Sequence, residues 1–435
     1  LDVHRLPEPI RSRPDFVPHL RHLPRFRHAW ALLLPAIAWG TQPPAQSLAD
    51  SLDGVRASLS IRDGELAGPG SVALVKRARA AQFVLIGEDH GFADVPEFVV
   101  ALKKTLGTDA PPYLAAELGP QSAEYLTRAL RGGAIDAVEL RHPGAVPFFG
   151  WRDDLAMFSA WQKGDARPRV WGLDQEFILS ARLHLERLLA LAPPAGRAIV
   201  ATYLQRAVDA DRELLARHDL SLALLPQLGD ADFKALEAAF GASGSAEASA
   251  IIAELAESAA IYREHAADSY AANARRALLM KRHFMRFYRE AEQRDGRPPR
   301  VMFRFGAFHV WRGLSPVHQF DIGNLAAELA ASTGGTSLHI LIIVRAGLVN
   351  KWLPFLADTS LRASSYDARS ELAQIGAVPF IEQALDGAWT VFDLAPLRDS
   401  RTLDEGGAQF ERLVFGYDYV VVVPEGHAAV GLAGG

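Results

Sequence analysis

A series of short apolar runs recurs along this chain, separated by stretches with the spacing of amphipathic helices. "QFVLIG" (82–87), "PYLAAELG" (112–119), "RPRVWGLDQEF" (167–177), "RVMFRFGAFHV" (300–310), "SLHILIIVRAG" (337–347), "WTVFDLA" (389–395) and "YDYVVVVP" (417–424) each stop at glycine, proline or a charged residue. Runs this short, apolar and rich in β-branched residues fit strands buried on both faces. The segments between them include "VPEFVVALKKTL" and "WRDDLAMFSAWQK" (151–163), whose apolar residues recur at helical intervals. Strands joined by helices over βαβ-length spacings predict a largely parallel sheet flanked by helices, an α/β fold. Strand order is not contained in this pattern.

One long stretch breaks the alternation. From residue 178 to 295 the spacing is helical throughout, with breaks only at "APPAG", "LPQLGDAD" and "GASGS". An all-helical insertion between the third and fourth core strands is therefore predicted. The chain divides on this reading into a first part of the core (51–177), the insertion (178–295) and a second part of the core (296–435).

Residues 1–50 differ again. "HLRHLPRFRHAW" holds Arg21, Arg25 and Arg27 with no acid. "AWALLLPAIAW" follows, with the small-x-small pattern Ala36-Ile37-Ala38, then a polar tail. A basic stretch, an apolar stretch and a small-residue cleavage pattern are the layout of a secretory signal peptide, which predicts a periplasmic or secreted protein. The chain has no cysteine, which excludes disulfides and Cys-ligated metal centres and forbids a lipid anchor on that residue. A net charge of −5 supplies no basic face for nucleic acid, so the expected partner is a small molecule. No run is apolar enough over its length to predict a transmembrane segment in the mature chain.

The strand ends carry the chemistry. The first strand runs into Glu88, Asp89 and His90, the second into Glu117, the third into Asp174, Gln175 and Glu176. The fourth leads to His309 and holds Arg304 within it. In open parallel sheets ligands bind beyond the carboxyl ends of the strands, so these groups are expected on one rim. Glu88 and His90 are two apart and share a face in extended chain. Gly87 and Gly91 are expected to let a ligand approach the backbone. Singly, Glu117 or Asp174 reads as a helix cap and a lone histidine as a solvated side chain. Together they form a general acid/base set, or alternatively a nitrogen and oxygen set for a divalent transition metal with bound water. The chain lacks G-x-S-x-G, H-E-x-x-H and Walker A patterns.

These residues resemble a known group of proteins. "IGEDHG" is similar to the G-E-x-x-H-G signature of erythromycin esterase-type proteins with one residue dropped between Glu and His. It also resembles the "LGE-x-H" of haem-binding uptake (ChaN-like) proteins and Tiki-type peptidases. "YLAAELG", "GWRDDLAMFSAWQK", "VWGLDQE", "RALLMKRHF", "RFGAFHV" and "DIGNLAAEL" resemble further motifs of the group in the same order. The resemblance implies a hydrolase acting on an ester or lactone without a covalent intermediate. His90 would be the base, supported by Glu88, with Glu117 and His309 completing the site. Trp151, Arg152, Asp174, Arg276 and Arg304 would bind or support the substrate. No cofactor is required by this reading. The relatives also imply two alternatives. One is a metal-dependent hydrolase or peptidase holding manganese, cobalt or zinc on Glu88, His90, Glu117 and His309. The other is a haem- or iron-binding uptake protein.

Overall fold

The computed structural model describes residues 47–431, apart from 133–141, 143, 163, 166, 242–243, 352–362 and 400–402. The expected signal peptide therefore lies almost wholly outside the described residues. The apolar runs form strands: β3 Phe83–Glu88, β4 Tyr113–Ala116, β5 Val170–Gly172, β6 Val301–Gly306, β7 Ser337–Val344, β10 Trp389–Asp393 and β11 Tyr419–Val423. Two earlier strands, β1 Arg56–Arg62 and β2 Glu65–Ala67, complete a nine-stranded sheet in the order β2-β1-β10-β11-β7-β3-β6-β4-β5. From β11 to β5 all neighbours are parallel. The edge made by β10, β1 and β2 is antiparallel. The predicted parallel sheet is thus present, with an antiparallel margin the periodicity does not announce.

The central strand explains why the apolar runs do not alternate. β3 lies between β7 and β6 and is buried at every residue, because helices cover both faces. The register sets Ile86 beside Arg304 and Glu88 beside Gly306. The carboxyl ends of β3, β6, β4 and β5 consequently share one rim. A separate antiparallel pair, β8 Ala346–Asn350 and β9 Ala363–Asp367, forms from a stretch to which the sequence assigns no element.

Between β5 and β6 the described chain is helical, with helices at 181–191, 197–217, 224–227, 230–240, 246–267 and 269–295. Their facing sides pack a cluster that includes Leu185, Leu188, Val200, Leu225, Leu236, Ile251 and Leu255. The last helix leaves this cluster and returns to the sheet. It begins where Asp268 accepts hydrogen bonds from the amides of Tyr270 and Ala271, and it stops at Gly296 with φ +65°. Met280, Phe284, Tyr288 and Ala291 on its buried face join the core of the sheet. Phe284 stands edge-on to Phe83 at 5.6 Å between centroids and lies 5.3 Å from Phe303. This helix carries Arg276, so its docking sets one wall of the site. No described helix is long and apolar enough to cross a membrane.

Phe284 is fully buried against β3, β5 and β6. Phe284→Ala is expected to destabilise the chain by about 3–5 kcal/mol, the cost of deleting a buried aromatic ring. A urea midpoint within error of the parent would show that the helix is not held by this contact.

Candidate functional site

The rim is organised by a charge that has no access to water. Arg304 lies in the middle of β6, completely buried. A guanidinium taken out of water must be paired, and two carboxylates meet it. Its Nη2 lies 3.0 Å from Glu88 Oε1 and 3.2 Å from Oε2. Its Nη1 bonds Asp154, which stands in the first turn of helix 152–162. The guanidinium also lies over the ring of Phe149, 4.9 Å from its centroid. Burial pushes the Asp154 carboxyl up to about 7, with Arg304 offsetting part of the effect.

Glu88 is thereby held for His90. Glu88 Oε1 is 2.9 Å from His90 Nδ1, and the other ring nitrogen, Nε2, is 3.4 Å from Glu117 Oε2. Phe148 stacks on the imidazole at 4.7 Å and 18°, and Phe149 meets its edge. Phe148 has φ +60°, a backbone conformation that costs a bulky residue about 1–2 kcal/mol. Burial alone would lower the basicity of His90, but hydrogen bonds to Glu117 and Glu88 outweigh it and raise the pKa to about 10. The resting imidazole is therefore doubly protonated at neutral pH. It is not the free base that its strand-end position suggests.

Glu117 joins the two histidines. Its Oε1 is 3.3 Å from His309 Nε2 and 2.7 Å from Arg276 Nη2, and its Oε2 accepts from the Gly306 amide at 2.5 Å. Burial would favour the neutral acid, yet His309, His90 and Arg276 hold this carboxyl well below its usual range. His309 is fixed from behind by Asp321, whose Oδ2 lies 2.7 Å from Nδ1. The same Asp321 accepts the amide of Ile322 through Oδ1, capping helix 322–332. Burial lowers the His309 pKa, while Glu117 and Asp321 raise it above its ordinary value. Arg276 reaches across from helix 269–295 to grip Asp174 with Nε at 2.8 Å and Nη2 at 2.5 Å.

The structure therefore brings Glu88, His90, Glu117, His309, Asp174, Arg276 and Arg304 into one connected network. Trp151 is buried and meets the ring of Phe148 edge-on, 6.0 Å between centroids. Arg152 is exposed and takes part in none of these pairs. Arg304, expected among the substrate-binding residues, has no exposed surface and holds Glu88 instead. Glu176 is structural. It accepts from the amide and hydroxyl of Ser122 and the amide of Gln121, and it pairs with His184. Gly87 and Gly91 do not face a ligand. A Cβ at Gly87 would meet Tyr417 and Val310, and one at Gly91, where φ is +106°, would meet the carbonyl of Asn350 at 2.4 Å. The glycine that borders the site is Gly306, where a Cβ would lie 3.1 Å from Glu117 and 3.3 Å from His90. Asp154, Phe148 and Asp321 are the participants that sequence reasoning misses. Asp154 has a local signal, a polar residue on the buried side of a helix, but nothing in the sequence links it to Arg304.

Beside Glu117 opens a cleft of about 60 Å³, lined by Leu118, Val146, Phe148, Phe177, Asp174 and Arg276 among others. It has room for a few waters and none for a porphyrin in this conformation. Among the described residues no three His, Asp or Glu side chains converge on a cation. The cause is visible in the pairing. His90 and His309 direct Nε2 at opposite oxygens of Glu117, and Arg276 already places a positive charge there. This donor arrangement does not fit a divalent metal.

No protein-family model and no curated protein matches the chain. Its fold is shared with solved structures. An erythromycin esterase mutant in its open conformation superposes with a TM-score of 0.52 at 14% identity, over 86% of this chain and 98% of the other. A Bacillus cereus protein gives 0.51 at 15% identity, over 88% and 97%. A succinoglycan biosynthesis protein gives 0.50 at 13% identity, over 88% and 97%. The chain thus has the α/β architecture of these structures, with a mostly parallel central sheet flanked by helices.

Two outcomes follow from the pairing. Arg304→Met leaves Glu88 and Asp154 buried without their cation and is expected to cost about 3–5 kcal/mol; a variant as stable as the parent in urea would remove Arg304 from its organising position. His90 has a pKa of about 10 when folded against 6.5 for an ordinary histidine, so the stabilisation it gives is complete below pH 6.5 and disappears as pH rises through about 10. Between pH 7 and 10 the Tm of the parent is expected to fall more steeply than that of His90→Gln. Parallel curves would contradict the double protonation.

Proposed function

We propose that this protein is a hydrolase that cleaves an ester or lactone of a small molecule by direct attack of water. The observation that carries the reading is the setting of His90. One ring nitrogen is held by a buried, charge-balanced Glu88, and the other is directed at Glu117 on the border of the cleft. A carboxylate behind an imidazole fixes its tautomer and strengthens it as a base. Substrate and water entering at Nε2 displace the longer contact, that to Glu117, which is one of the groups retaining the extra proton. His90 then loses that proton to solvent and becomes competent.

The step is a simple displacement. The water oxygen bonds to the carbonyl carbon while its proton passes to His90 Nε2. The developing oxyanion, and then the leaving alkoxide, lie near His309, whose raised pKa favours the imidazolium, with one proton on Nδ1 donated to Asp321 and a second on Nε2 to give. Expulsion of the alkoxide breaks the carbon–oxygen bond, and the proton from His309 completes the alcohol. Glu117, kept ionised by His309, His90 and Arg276, stabilises the His309 imidazolium before the proton is given up, and the His90 imidazolium once their contact re-forms on product release. Ser122, which lines the cleft, gives its hydroxyl to Glu176 and is not free to act as a nucleophile. The shared architecture with an erythromycin esterase supports hydrolysis as the reaction class. The basic and apolar leader supports an exported enzyme, periplasmic or secreted.

A panel of chromogenic esters and lactones tests the reading. On any substrate that turns over, kcat/KM is expected to follow a bell-shaped pH profile with one limb near about 10, the pKa of His90 in the free enzyme, and the other set by His309. His90→Ala is expected to lower kcat by about 10²–10⁴-fold with an unchanged circular dichroism spectrum. Near-parental turnover in that variant would remove His90 from the reaction.

A further inference from the structure

We infer that Asp154 is a positioning residue for His90, acting through the shared guanidinium of Arg304 and the carboxylate of Glu88. The inference rests on the reading of His90 as the base. Four consecutive groups form the relay. Asp154 bonds Arg304 Nη1, Arg304 Nη2 reaches both oxygens of Glu88, and Glu88 Oε1 meets His90 Nδ1. The first three are buried and His90 is 18% exposed beside Glu117 on the border of the cleft, so the relay runs outward through an interior that screens its charges weakly.

Charge sharing is what gives Asp154 an influence. A guanidinium facing Glu88 alone would neutralise that carboxylate and weaken its hold on the His90 Nδ1 proton. Asp154 draws one edge of the cation away and leaves Glu88 a stronger acceptor. Asp154 is also under-satisfied: its Oδ2 and the Nε of Arg304 have no hydrogen-bond partner among the described residues. A carboxylate with a single cation for support and no further donor is readily protonated, in keeping with its pKa of about 7. The charged groups around the relay are few. Glu88 and Asp153 act on Asp154 along with Arg304, while Glu97 of helix 94–106 feels Asp153. His90 faces Glu88 and Glu117, and Glu117 in turn faces Arg276 and His309.

Histidine-labelled protein tests this by NMR titration of the His90 ring, without any substrate. Asp154→Asn keeps the side chain's shape and an oxygen for Arg304 but removes the charge. It is expected to lower the His90 pKa by about half to one unit, the direction set by losing a nearby negative charge. An unmoved His90 titration in a folded variant would overturn the inference. If the variant does not fold, the parent decides. Protonation of Asp154, followed through its carboxyl carbon, is expected to produce a second inflection in the His90 shift at the same pH, and its absence would equally overturn the relay. The two readings separate cleanly. A shifted His90 in a protein that hydrolyses nothing on the panel supports the relay and sinks the hydrolase. An active enzyme whose alkaline limb and His90 titration ignore Asp154→Asn keeps the hydrolase and sinks the relay.

Discussion

The site depends on a cation that cannot be solvated. An arginine at the centre of a fully covered sheet carries a desolvation cost of several kcal/mol, which only matched carboxylates offset. Glu88 and Asp154 are those carboxylates, and each stands on a different element, a strand and a helix. Meeting the demand of Arg304 therefore docks helix 152–162 against the sheet and also fixes the rotamer of Glu88. His90 inherits that fixed partner. The requirement for charge balance in the core and the requirement for an oriented imidazole are satisfied by the same atoms.

Much of this was legible in the sequence, and the rest was hidden for identifiable reasons. The strand ends were visible because buried parallel strands read as unbroken apolar runs, so Glu88, His90, Glu117 and Asp174 stand out where those runs stop. Arg304 was visible as the charge inside such a run, but its direction was not, and a buried arginine and a substrate-facing one look alike in one dimension. The antiparallel edge carries a different signal. "RASLSIRDGELAG" alternates polar and apolar residues around Asp63-Gly64, both with positive φ, which is a hairpin signal in plain view. A half-exposed edge strand lacks the long apolar run that marks the others, so the run pattern does not reveal it. Phe148 and Asp321 could not be found at all. Their roles depend on a stacking distance and on a helix cap that doubles as a histidine partner, and neither has a sequence period.

Protonation is where pattern and structure disagree most. A histidine between glycines after a strand suggests a free base. In the folded chain both of its nitrogens meet carboxylates, and a neighbouring histidine shares one of them. Residue type and spacing indicate that acid–base chemistry is available, but the protonation state belongs to the assembled network, whose members come from widely separated parts of the chain.

Glu176 has a mechanical consequence. This buried carboxylate ties the loop after β5 to helix 120–132 through Gln121 and Ser122, and to helix 181–191 through His184. Its amide donates to Ser258 and its carbonyl accepts from Tyr262, both on helix 246–267. Three helices are thus riveted at one residue, and none can pivot without leaving a polar or charged group of Glu176 unpaired in the interior. The cleft accordingly has one stiff jaw, on the side of Asp174 and Phe177. Its opposite jaw is the segment around Phe148, where the ring stacked on the imidazole offsets the cost of a backbone at positive φ.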